Sequence, residues 1–153
     1  MKITLIVAFL GLLGISASEG ETEASRVKNF NVKKAVAIEG YDPVSYFNGK
    51  PEQGKPEHTF TYKGIMYRFY NQQNLSKFKA SPDAFEPAYG GWCAYAMGVT
   101  GEKVKIDPHT YKVLDGKLFL FYNFKGTNTL TDWNKDEKKL KASADQYWKK
   151  IMQ

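Results

Sequence analysis

The chain has 153 residues, with 22 Lys and Arg against 16 Asp and Glu, one Cys, two His and 42% apolar side chains. That length suits one domain, and 15% aromatic residues supply far more buriable surface than a disordered tail carries. A mean hydropathy of -0.49, with the long apolar run confined to the N-terminus, excludes a multi-span membrane protein. One Cys forms no internal disulfide and builds no multi-cysteine zinc or iron-sulfur site.

Residues 1–18 read as a signal peptide: Lys2, an uncharged stretch from Ile3 to Gly14, then the small residues Ser16, Ala17 and Ser18. The apolar run is about 12 residues, short of the roughly 20 a spanning helix needs, so a retained single-pass anchor is the second choice. Cleavage leaves 21 basic residues against 16 acidic ones in a chain expected to be periplasmic or secreted. Export turns the basic balance away from nucleic acid. The densest lysines, Lys138, Lys139, Lys141, Lys149 and Lys150, are expected on the solvated face of a C-terminal helix.

Residues 19–33 are polar and aperiodic and read as a linker or loosely docked arm, so the domain is taken as 34–153. Ala35 to Ile38 is a short apolar run closed by Gly40, and Asn48-Gly49-Lys50-Pro51 is a turn. His58 to Tyr62 alternates, Lys63-Gly64 turns, and Ile65 to Phe69 continues, which predicts a hairpin. Asn71 is placed to cap a helix carrying Leu75 and Phe78 on one face, and Ser81-Pro82 opens a further helical turn. Gly90-Gly91 precedes a helix that starts at Trp92-Cys93 and ends at Gly98. Tyr111 to Leu114 and Lys117 to Tyr122 flank Asp115-Gly116, a pair suited to a tight type I′ turn. Asn134 with Glu137 resembles a capping box, and Leu140, Ala144, Tyr147 or Trp148, and Ile151 mark an amphipathic stripe. The predicted class is α+β, a small antiparallel sheet of hairpins with peripheral helices.

Gly40-Tyr41-Asp42-Pro43-Val44 with Tyr46-Phe47, the Tyr67-Arg68-Phe69 strand, Phe78, Pro82, Tyr89-Gly90-Gly91-Trp92-Cys93-Ala94, Asp107-Pro108 and Asp115-Gly116-Lys117-Leu118 together resemble the exported branch of the YHS-domain family. The resemblance runs from Val36 to Asn123. It implies a small YHS-like α+β domain, a link to transition-metal binding or sensing, and no established reaction for this branch. The metal-linked members place cysteines where this chain has Ser45, Tyr70 and Asn74. Those groups are poor soft-metal ligands, so the usual thiol-rich site does not carry over.

Cys93 is the donor around which another site is expected. It follows two glycines at a helix start, where unpaired backbone N–H groups favour a thiolate. Met97 lies one turn on, and His58 or His109 could add an imidazole, a set suited to copper, with zinc as the alternative metal. The plainer reading makes Cys93 and Met97 core fillers. Tyr41, Asp42, Tyr89, Gly90, Gly91 and Trp92 are the candidate small-ligand residues, set against roles in turns and packing. Two other functions stay open. One is a thiol-dependent enzyme using Cys93 with His58 or His109, oriented by Asp42 or Asp107. The other is an envelope interaction module whose aromatic surface docks a protein. A monomer is expected, with a Cys93-linked dimer as the alternative.

Overall fold

The structure, a computed structural model, describes residues 21–153. The signal-peptide segment lies outside the described residues. Among those described, no helix is long and apolar enough to cross a membrane.

The first element corrects the sequence reading. Residues expected to be a linker form helix α1 (Glu23–Asn29), capped by the Thr22 hydroxyl accepting from Ser25 N–H. Helix α1 is tied down at several points. Arg26 Nε donates to the Lys63 carbonyl, Asn29 Nδ2 to the Ile151 carbonyl and Ser25 Oγ to the Met152 carbonyl. Strand β1 (Val32–Lys33) then pairs antiparallel with β2 (Val36–Ala37).

The first predicted hairpin is present as β3 (Lys55–Tyr62) and β4 (Ile65–Phe69), turning at Lys63-Gly64. Strand β4 alternates between the core and a partly covered face, so Ile65, Tyr67 and Phe69 are buried. A single parallel pair, Val36 with Met66, joins the two hairpins into one sheet of order β1-β2-β4-β3. Parallel pairing leaves no hairpin signature, and the all-antiparallel expectation missed it.

Asn71 caps α2 (Gln72–Ala80) as predicted, its side chain accepting from Asn74 N–H, and Pro82 opens α3 (Pro82–Phe85). Helix α4 (Ala94–Thr100) starts after Cys93 and runs past Gly98 to a left-handed cap at Gly101. Gly98 does not end it. Its missing side chain lets α6 (Glu137–Ile151) approach, since a Cβ there would sit 2.6 Å from the Leu140 carbonyl oxygen.

The second predicted hairpin is β5 (Asp107–Leu114) and β6 (Lys117–Phe121), with Asp115 and Gly116 at φ of 50° and 72°. A small hairpin follows, β7 (Asn123–Phe124) and β8 (Thr127–Asn128), then helix α5 (Thr129–Trp133), which the sequence did not announce. The expected capping box is absent because Asn134 closes α5 while Asp136 precedes α6. The fold class is α+β, small sheets with helices around them.

Two clusters make the core. One packs the β1 to β4 sheet against Phe78, Cys93 and Leu120; the other joins α4, α5, α6 and β6 through Ala94, Met97, Phe121, Trp133 and Ala144. Strand β6 alternates between them, its Leu118 and Leu120 facing the first and its Phe119 and Phe121 the second.

Candidate functional site

The structure does not gather the proposed metal donors. Cys93 is 0% exposed and lies in the first core cluster, Met97 is buried in the second, and His58 lies on β3 at the outer edge of the four-stranded sheet. The sulfur is also occupied. Tyr122 N–H donates to Cys93 Sγ at 3.4 Å, and Thr129 Oγ1 lies 3.4 Å away. Thr129 spends its hydroxyl hydrogen on the Tyr122 carbonyl at 3.0 Å, so its oxygen is left to accept from the Cys93 S–H. A helix-start cysteine is expected to be primed and reachable; this one is sealed in the core with its sulfur hydrogen-bonded. The three donors do not fit a metal centre, and no group of three or more His, Cys, Asp or Glu side chains among the described residues does. A sulfur so enclosed cannot link two folded chains.

The parts of a thiol enzyme are likewise apart. His109 is exposed on β5, where Tyr41 OH and His109 Nε2 are 2.9 Å apart, while Asp107 binds the His109 N–H and the Thr110 hydroxyl within its own turn. Asp42 is 0% exposed and fully engaged. Its Oδ1 accepts from the N–H groups of Val44 and Ser45, and its Oδ2 from Tyr70 N–H at 2.9 Å and Asn74 Nδ2 at 2.7 Å. It is a structural anchor rather than a ligand-binding residue. Ser45 and Tyr70, through their backbone N–H groups, and Asn74, through its side chain, thus converge on this one carboxylate, and the three line a pocket of about 220 Å³.

Four of the remaining ligand candidates divide evenly. Trp92 donates its indole N–H to the Asn29 carbonyl at 2.7 Å, and the Gly91 carbonyl accepts from Asn31 Nδ2, so both hold the α1 connection. Tyr41 packs on the first core cluster beside His109. Tyr89 and Gly90, by contrast, form the wall of a cleft of about 480 Å³, bounded by α1, the 86–90 segment, the β5–β6 hairpin and α6. Tyr89 has φ of 55° and Gly90 of 59°; a Cβ on Gly90 would stand 2.7 Å from Trp148 and 3.0 Å from Phe30. That backbone turns the chain sharply while letting two aromatic rings close on it.

The cleft has a charged interior that sequence reasoning missed. Arg26 and Glu86, 2% and 5% exposed, form an ion pair, and Tyr67 OH donates to the same Glu86 Oε1 at 2.5 Å. Burial opposes the Arg26 charge, but the hydrogen bond and charge of Glu86, with Glu21 beyond it, hold its pKa above the ordinary arginine value. Burial first, then the Glu86 charge, pushes the Tyr67 phenol well up. Tyr89 OH donates to Asp145 Oδ1 at 2.9 Å, and burial with this bond raises its pKa too. Lys117 donates to the Asp83 carbonyl at 3.3 Å, and desolvation lowers its pKa against the opposite pull of Glu86 and Asp83. No local pattern marks these groups, since they come from residues 26, 67, 86, 117 and 145.

No family model matches the chain, and neither a curated relative nor a solved structure matches it.

Proposed function

We propose that the chain is an exported YHS-type domain that binds a small ligand, without catalysis, in the cleft walled by Tyr89 and Gly90. The observation that carries this reading is the cleft itself. Its volume of about 480 Å³ falls in the range of small-molecule sites, and it joins aromatic walls to a few buried polar groups. The sequence resemblance from Val36 to Asn123 supports the YHS likeness.

The test is a fragment screen on the protein without its expected signal peptide, residues 19–153, with binding mapped by amide chemical shifts. Shifts clustered at Tyr89, Gly90, Lys117 and Trp148 support the reading. Hits that map elsewhere, or no hits in the cleft, overturn it.

A further inference from the structure

Five carboxylates and three cations line the cleft, in a chain whose overall charge is +6. Most of these charges are already matched. Arg26 pairs with Glu86 and Glu21, and Lys141 pairs with Asp145, which also accepts from Tyr89. Three groups stay unspent. Lys117 has no ion-pair partner among the described residues, its recorded bond being to a backbone carbonyl. Glu86, which lines the cleft, takes both of its bonds on Oε1, and Oε2 has no hydrogen-bond partner among the described residues. Asp115, at the tip of the β5–β6 hairpin, forms no ion pair there either.

A ligand carrying only a carboxylate would meet Lys117 and add to the acidic excess. One carrying only an ammonium would satisfy the acids and repel Lys117. A molecule carrying both leaves neither charge uncompensated, and in a partly desolvated cleft that compensation decides affinity. Phe30 and Trp148, with ring centroids 5.8 Å apart, supply an apolar wall beside these groups.

Resting on the cleft being the binding site, we propose that its ligand class is a small zwitterion, an α-amino acid with an apolar side chain. Its carboxylate meets Lys117, its ammonium faces Glu86 Oε2 and Asp115, and its side chain lies against Phe30 and Trp148. The carboxylate would also restore to Lys117 the charge stabilisation that burial removes, so binding takes up protons at alkaline pH.

The experiment titrates the protein with phenylalanine, with 3-phenylpropionate, which lacks the ammonium, and with phenylalaninamide, which lacks the carboxylate. Calorimetry gives the affinities and amide shifts give the place. Phenylalanine is expected to bind at the cleft, and each analogue about tenfold or more weaker. Lys117→Gln is expected to bring phenylalanine and its amide to about equal affinity, and Lys117→Arg to restore the difference. Equal binding of all three compounds overturns the zwitterion class. So does a cleft that takes other fragments but not phenylalanine, which leaves the binding reading standing. A cleft that takes nothing overturns both.

Discussion

At the residue scale, the buried Asp42 carboxylate has its hydrogen bonds complete. It accepts four hydrogen bonds from three segments, the 42–45 turn, the end of β4 and α2, and so clamps the first turn of the domain to the sheet. Asp42→Ala would leave those donors buried and unmet. The expected loss is about 3 kcal/mol in urea unfolding, with the midpoint falling and the slope unchanged. The Cys93 sulfur is likewise buried and bonded. Because its sulfur is 0% exposed and engaged by Tyr122 and Thr129, a thiol reagent should label it only as fast as the protein opens. Labelling at native conditions within the mixing time would contradict that placement. Cysteine at a helix start suggested reactivity in the sequence, but the helix it opens is covered by α6, α5 and β6.

At the element scale, α6 is held by contacts its stripe does not reveal. Ala144 lies in the core as the spacing predicts, and Trp148 closes over Gly90 and Phe30. At its start, Glu137 pairs with Lys112 on β5 and accepts from the Trp133 indole at 2.8 Å. The Lys112 hydrogen bond, opposed by burial and aided by Trp133, holds the Glu137 carboxyl below its ordinary range. A folded pKa below the unfolded one gives stability that is present above the unfolded pKa and lost as pH falls through the folded value. Stability measured by urea unfolding should therefore drop through the acid range, and Glu137→Gln should flatten that part of the profile. At the cleft, Gly90→Ala meets both a positive φ and Trp148 at 2.7 Å. Its expected cost is about 2 kcal/mol, with altered Trp fluorescence as α6 shifts.

At the scale of the whole molecule, α1 joins distant parts of the chain. Its Arg26 reaches Lys63 in the β3–β4 turn and Glu86 beside the cleft, while Asn29 and Ser25 bind the end of α6. Removing one partner of the buried pair leaves the other charge uncompensated. Arg26→Ala is expected to cost about 3–5 kcal/mol by denaturant unfolding, more than Arg26 would contribute if 19–33 were a linker. A loss below about 1 kcal/mol would return α1 to the role of an arm.

Much of this was legible in order along the chain. Both hairpins, the Asn71 cap, the Pro82 start and the α6 stripe follow from alternation, turn chemistry and spacing, which act over a few residues and leave local marks. What tertiary structure alone decided are contacts between residues far apart in sequence. The docking of α1 depends on a Glu 60 positions away, and the parallel Val36–Met66 pair has no connecting turn. The burial of Cys93 is set by Tyr122 and Thr129, and the cleft by residues from α1 through α6. Local propensity records neither a partner's position nor the solvent it displaces. The sequence by itself determined which short elements form; burial and pairing between them decided that the Cys93 sulfur is core and that Arg26 and Glu86 meet beside the cleft.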